Sequence, residues 1–202
     1  MTKRMMLTRL HHKNQPQKPV EQQTYLQMSA FQHAKSRITW LLVLMLSSTI
    51  TGSIITHYED AFAAIPLLVS FIPMLMDTGG NCGSQSATLI TRGLAVGELT
   101  FADALAIMWK EFRVSLLVGA FLAVANGVRI FLQYHDLSMA VVIACSLVAT
   151  IIVAKLVGCL LPLLAKRIGL DPAIMAAPLI TTVVDACSIM IYFRIATMLF
   201  AL

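Results

Sequence analysis

The chain has 202 residues, of which 58% are hydrophobic and only 12% charged, and its mean hydropathy is +0.79. Soluble domains carry about a quarter charged residues and less than half apolar ones, and a single soluble core of this length would leave long apolar runs facing water. A soluble enzyme, a nucleic-acid-binding domain and a disulfide scaffold are excluded, and the chain reads as an all-α integral membrane protein with runs long enough for the roughly 20 residues of a bilayer-spanning helix.

The net charge of +5 does not point to nucleic acid, because of where it sits. Residues 1–37 hold Lys3, Arg4, Arg9, Lys13, Lys18, Lys35 and Arg37 against Glu21 alone, a balance of +6, and the rest of the chain sums to −1. This polar segment, rich in Gln and His, reads as a solvated tail near an anionic membrane surface, with a membrane domain over 38–202. No apolar h-region precedes residue 38, so no cleavable signal peptide is expected. Cys82, Cys145, Cys159 and Cys187 fall in apolar segments without metal-ligand spacing and read as small buried hydrophobes.

Hydropathy divides the remainder into five expected spans: Ile38–Thr56, Ala61–Ile90, Val114–Leu132, Leu137–Ala165 and Pro172–Leu202. Gly93–Arg113 mixes Glu98, Asp103, Lys110, Glu111 and Arg113 with apolar residues and is expected as a helix lying in the interface. Asp171-Pro172 reads as an N-cap followed by proline at the first helical position. Lys35, Arg37, Arg92, Lys110, Arg113, Lys166 and Arg167 gather on one side, with Glu59, Asp60 and Asp136 on the other. The positive-inside rule then places the N-terminus in the cytoplasm and the C-terminus outside.

Polar groups at depth carry the functional signal, since they are costly there and face a bundle interior or a water-filled path. In the second span Asp77, Asn81, Ser84 and Thr88 are spaced +4, +3 and +4, one stripe of oxygen-bearing side chains on a helix. Gly79 and Gly83 form a small-xxx-small pair that lets another helix approach. Unwinding at Gly79-Gly80 would instead offer backbone carbonyls to a cation. In the fifth span Pro178, Thr181 and Asp185 share a face. Asp185 lies ~21 Å along its helix from Asp171 and Asp77 ~20 Å from Ile90, so the two carboxylates fall at similar depth on antiparallel helices. Lys155, ~15 Å above Ala165, would repel a cation in transit and reads as snorkelling or as paired with a carboxylate away from the path. Hard oxygen donors without thiolate or imidazole favour Mg²⁺, Ca²⁺ or Mn²⁺ over zinc or copper.

The run Ile72-Pro73-Met74-Leu75-Met76-Asp77-Thr78-Gly79-Gly80-Asn81-Cys82-Gly83-Ser84-Gln85-Ser86-Ala87-Thr88 resembles the second-span signature of the MgtE magnesium channels, P-x(5)-G-G-N-x-G-x-Q-S, and Arg92-Gly93-Leu94-Ala95-Val96-Gly97-Glu98 resembles its continuation. Gly169-Leu170-Asp171-Pro172-Ala173, then Pro178-Leu179-Ile180-Thr181-Thr182 and Asp185, are similar to the fifth-span signature. The resemblance covers about residues 37–202. It implies a homodimer with five transmembrane helices per subunit and a pore on the twofold axis lined by spans two and five. It maps the central selectivity carboxylate onto Asp185. Pore-facing contributions map onto Asn81, Ser84 (Asn in some relatives), Thr88 and Thr181, with backbone groups around Asp77 and Gly80. MgtE channels normally carry a helical domain and a paired CBS module ahead of the first span. With 37 residues there, the chain reads as a naturally short relative or as the pore domain alone, and the family's Mg²⁺-sensing gate is not carried over.

The expected function is therefore a channel or facilitator of the bacterial inner membrane that passes Mg²⁺, with Mn²⁺, Co²⁺ and Ca²⁺ as further ions that could bind. It is not an enzyme, needs no catalytic cofactor, and has the lipid bilayer and a second copy of itself as partners. Two other readings of the aspartates are a proton- or Na⁺-coupled transporter or exporter and, remotely, an intramembrane aspartyl protease. The protease reading lacks a Gly-x-Gly-Asp setting at either Val183-Val184-Asp185 or Leu75-Met76-Asp77.

Overall fold

A computed structural model describes residues 29–170 and 172–201, less the side chains of residues 36, 39, 40 and 173–178. The expected Asp171 cap, most of the polar tail and the side chain of Pro178 lie outside the described residues. The chain divides into two compact units, residues 1–41 and 42–202, and the candidate site lies in the second. Every regular element among the described residues is helical.

Helix α1 (Ala30–His57) begins eight residues before the expected first span. Its start is a reciprocal cap: Gln32 N donates to Ser29 Oγ (3.3 Å) and Ser29 N donates to Gln32 Oε1 (2.9 Å), satisfying two backbone donors that a helix terminus leaves open. Further along, the hydroxyls of Ser47, Ser48, Thr49, Ser53 and Thr56 each donate to a carbonyl three or four residues back. These polar groups are thereby satisfied within the helix itself.

The segment expected as one second span is three pieces: α2 (Glu59–Ala64), a 3₁₀ segment (Pro66–Phe71) and α3 (Ile72–Val96). Pro66 has no N–H to continue α2, whereas Pro73 stands in the first turn of α3, where that N–H has no intrahelical partner anyway. Tyr192 Oη donates to the Leu68 carbonyl of the 3₁₀ segment (2.8 Å), and Phe193 packs against Tyr58 and Phe62 with ring centroids 5.1 and 4.7 Å apart. The irregular backbone is thus held by the last helix. Helix α3 ends at Gly97, whose φ of 77° suits glycine, while Glu98 N and Leu99 N both donate to the Gly93 carbonyl.

The expected interfacial helix is not a separate element. Its first residues end α3, and its last ten open α4 (Ala104–Tyr134), a single helix of 31 residues. The reason is local: no Gly or Pro stands between Ala104 and Val118, and Thr100 and Asp103 form a capping box that starts the helix early. A two-residue link leads to α5 (Leu137–Arg167), capped by Asp136, which accepts from Met139 N at 3.0 Å. Lys166 and Arg167 occupy the last turn of α5, where cations complement the helix dipole. The chain then turns through Gly169 at φ 79° into α6 (Pro172–Phe200).

Helix α5 is the centre of the bundle, with α3, α4 and α6 all packed on it and α3 also packed on α6. Phe101–Tyr134, Leu137–Arg167 and Leu179–Phe200 are long and apolar enough to cross a membrane, and Leu41–His57 is a shorter apolar stretch. Leu117, Phe121, Val124 and Leu132 of α4 are exposed, as suits a surface facing acyl chains.

The bundle closes tightly where α3 presents glycine to its neighbours. A Cβ on Gly158 of α5 would land on the Gly83 carbonyl, and one on Gly79 would meet Ser188 Oγ and Thr150 Cγ2 at 2.8 Å and Val184 Cγ1 at 2.9 Å. The close approach expected of Gly79 and Gly83 is present, with α5 and α6 of the same protomer. Dimerisation therefore gains no support from this pair.

Because the atom in the way at Gly158 is main chain, Gly158→Ala is expected to lower stability by ~1–3 kcal/mol through overpacking. Gly52→Ala, whose Cβ meets nothing within 4 Å, should be neutral or stabilising by up to ~1 kcal/mol. Thermal unfolding of the two variants in detergent measures the contrast, and equal behaviour would contradict the described crossing.

Candidate functional site

At about 100° per residue, Asp77, Asn81, Ser84 and Thr88 occupy an arc of roughly 60° on α3. Asp77, Asn81 and Thr88 are exposed and Ser84 is half-buried. Asn81, Ser84, Gln85, Thr88 and Leu89 line an open groove of about 700 Å³. The stripe read from the spacing is therefore a polar surface turned out of the protomer. Thr88 Oγ1 donates to the Ser84 carbonyl (2.8 Å), which leaves the hydroxyl oxygen able to accept. Gln85 also lines the groove but was not among the expected site residues. Its signal was present in the sequence, since it follows Asn81 by four and Asp77 by eight.

A second group forms where α3 meets α6. Gly80 is buried, and a Cβ there would lie 3.5 Å from Thr181 Cγ2 and 3.9 Å from Asp185 Oδ1. Asp185 and Thr181 are half-buried. Asp185 thus stands opposite Gly80, one turn from Asp77, and the two carboxylates are within electrostatic range of each other. The expected match in level between them is met. Neither aspartate, nor Thr181 or Gly80, lines the groove itself; they lie beside it. Helix α3 runs unbroken through Gly79-Gly80, so the alternative of an unwound segment offering carbonyls is not adopted.

Behind the stripe sits a buried polar cluster. Ser86 Oγ donates to Glu111 Oε2 at 2.6 Å, Lys155 Nζ donates to Ser86 Oγ at 3.2 Å, and Lys155 Nζ lies 3.5 Å from Glu111 Oε2. The three residues come from α3, α4 and α5 and are all buried. Lys155 is therefore paired with a carboxylate away from the stripe, one of the two readings made of it from the sequence. Its partner Glu111 was expected at the membrane interface, and Ser86 entered the sequence reading only as part of the signature run.

The oxygen-rich face, the two carboxylates beside it and the apolar exterior together describe a membrane domain built around a hydrophilic surface. Residues 72–195 match the family model MgtE, described as a divalent cation transporter. The chain belongs to the MgtE family. It is 38% identical over 164 residues to the magnesium transporter MgtE of Thermus thermophilus, covering 81% of this chain and 36% of that protein. It is 35% identical over 168 residues to that of Bacillus subtilis, covering 83% and 37%, and 33% identical over 165 residues to that of Enterococcus faecalis, covering 82% and 36%. The chain thus spans little more than a third of the length of these relatives. The MgtE match runs from the start of α3 into α6 and so includes Asp77, Gly80, Asn81, Ser84, Thr88, Thr181 and Asp185, together with the Ser86–Glu111–Lys155 cluster.

Breaking a buried ion pair by removing one partner leaves an uncompensated charge and costs ~3–5 kcal/mol. Lys155→Met in this MgtE chain is expected to lower stability by about that amount, read as a drop in thermal unfolding temperature in detergent. A shift no larger than that of an exposed substitution such as Leu117→Ala would show that the pair is not formed.

Proposed function

We propose that this chain forms the ion path of a transporter that carries Mg²⁺ across the bacterial inner membrane, working as a channel in a homodimer. The observation that carries the reading is the groove on α3. In a membrane protein, a face of amide and hydroxyl groups turned outward needs either water or a second polar surface against it. A second copy related by a twofold axis supplies that surface and turns two open grooves into one lined path. The relatives named as magnesium transporters favour Mg²⁺ as the substrate.

On this reading the protomer crosses the membrane five times, through α1, the α2–3₁₀–α3 segment, α4, α5 and α6. The N-terminus is cytoplasmic and the C-terminus outside, as the distribution of Lys and Arg favours. Among the described residues no cluster of three or more His, Cys, Asp or Glu is present in one protomer. A pair of Asp185 side chains across the axis would supply −2 at the ion, with Asp77 and the Gly80 backbone beside it, Thr181 next to Asp185, and Asn81, Ser84 and Thr88 along the approach. Mg²⁺ dehydrates reluctantly and keeps several waters, and donors of this kind suit its shell. Inward movement gains ~2.3 kcal/mol per charge per 100 mV of membrane potential, so no coupled ion is required.

Divalent-ion flux into proteoliposomes tests the reading. Asp185→Asn keeps size and hydrogen bonding and removes two charges per dimer. A unit-charge pair 4 Å apart is worth ~4 kcal/mol at an effective dielectric of 20, so even after screening the flux should fall at least tenfold. Asp77→Asn should be milder, and Thr181→Val milder still. Loss of flux in Asp77→Asn with a normal Asp185→Asn would move the selectivity site to α3 and overturn the assignment.

Topology and assembly have their own tests. In a cysteine-free background, an impermeant thiol reagent should label Glu59→Cys from outside and leave Arg167→Cys unlabelled. Ser84→Cys should give a disulfide-linked dimer on oxidation. The reverse labelling pattern would invert the orientation, and monomer alone from positions along both α3 and α6 would argue against an axial path.

A further inference from the structure

The cluster behind α3 does more than neutralise a buried lysine. Ser86 lies about 170° around the helix from the centre of the Asp77–Asn81–Ser84–Thr88 arc, so it marks the back of the same helix whose front lines the groove. Its hydroxyl donates to Glu111 and accepts from Lys155, and those residues belong to α4 and α5. The helix is therefore held at its back from two directions by charge-assisted hydrogen bonds, the strong and directional kind. Elsewhere the back of α3 packs through Gly79 and Gly83 and through apolar side chains such as Leu75 and Ile90. Such contacts hold the helices together but carry no directional bond that fixes a small rotation. Polar fixation at this level thus falls to Ser86.

We propose that Ser86, Glu111 and Lys155 are positioning residues that set the rotation of α3, and through it which of Asn81, Ser84, Gln85 and Thr88 face the ion path and hence which divalent ions pass. None of the three touches the ion. Ser86 is the pivot, Glu111 and Lys155 the two anchors, and even a fraction of the roughly 100° that separates neighbouring residues would move Ser84 toward one edge of the groove and Gln85 toward its centre. The proposal rests on the reading of that groove as an ion path, but its structural half is independent of it.

The test uses the full chain, reconstituted in lipid, with Cys82, Cys145, Cys159 and Cys187 replaced by Ala. Two reporters are introduced one at a time: Ser84→Cys on the groove side and Ala87→Cys, a buried position of the same helix. Each is combined with Ser86→Ala, which removes the hydroxyl and leaves the ion pair, or with Glu111→Leu/Lys155→Met, which removes both charges together. The readouts are the rate of thiol modification and the ratio of Mg²⁺ to Ca²⁺ flux. In both backgrounds the ratio of the modification rates at Ser84→Cys and Ala87→Cys should change at least fivefold, and the Mg²⁺ to Ca²⁺ ratio should fall severalfold. Parent-like modification rates and ion ratio in Ser86→Ala overturn the proposal. So does parent behaviour in the doubly neutral variant, which is the outcome if the pair serves only to cancel charge. If one variant fails to fold, the other is read alone. Changed modification rates in a protein that carries no divalent flux in its parent form would leave the positioning role standing and remove the ion-path reading.

Discussion

The arrangement depends on how close the backbone of α3 comes to α5. At the Gly83–Gly158 crossing the two main chains leave no space for even a methyl group, and at Gly79 the side chains of Thr150, Val184 and Ser188 fill the space a Cβ would need. A helix pressed this closely on its glycine side must turn its other side outward, although the crossing alone does not fix the rotation to the last few tens of degrees. The polar residues of α3 are therefore displayed outward because the glycine side is shut, and the groove follows from the packing. Association in membranes relies on van der Waals contact and hydrogen bonds, since lipid tails are as apolar as leucine. A glycine crossing supplies the first and the Ser86–Glu111–Lys155 cluster the second, on the same side of the same helix.

Much of this was legible in the sequence, for reasons that differ by residue. The stripe from Asp77 to Thr88 was readable because helical periodicity alone decides which residues share a face. That Gly79 and Gly83 admit a neighbour was readable too, but small residues do not say which neighbour, and the partners proved to be α5 and α6 of the same protomer. Glu111 was misplaced because a carboxylate among Lys110 and Arg113 looks like a water-facing residue. Only the packing of α4 on α5 brings Lys155 to meet it. The break at Ile65-Pro66 was lost inside a long hydropathy window, which averages over the one residue that lacks an N–H. The start of α1 was missed for the opposite reason: Ser29-x-x-Gln32 carries a capping signal, and hydropathy is blind to it.

The same distinction explains why the span count is less direct than the fold class. Helices α4, α5 and the later part of α6 satisfy length and apolarity outright. Helix α3 does not, because Asp77, Asn81, Ser84, Gln85 and Thr88 stand where a span would carry aliphatic residues. On the proposed reading these are the residues that α3 is there to display, so the feature that weakens its membrane signature is also the one that gives it a function. Such a helix is tolerated in a bilayer only where it borders protein or water.

The composition of the groove also bears on how tightly an ion is held. A path that conducts must bind well enough to admit an ion and weakly enough to release it. Carboxylates along its whole length would hold a divalent ion at every step. Here the groove carries amides and hydroxyls, and the acidic groups Asp77 and Asp185 are confined to the level beside Gly80. A water molecule occupies about 30 Å³ of liquid volume, so a shell of six is roughly 180 Å³, well within a groove of about 700 Å³. The side chains of Asn81, Ser84, Gln85 and Thr88 would then meet the waters of a hydrated ion and not the metal. Hydrogen bonding to that shell avoids the cost of stripping it, which is high for Mg²⁺. Discrimination would accordingly rest on how well a shell of fixed size fits donors held in fixed directions, and this makes the rotation of α3 matter as much as the identity of the residues upon it.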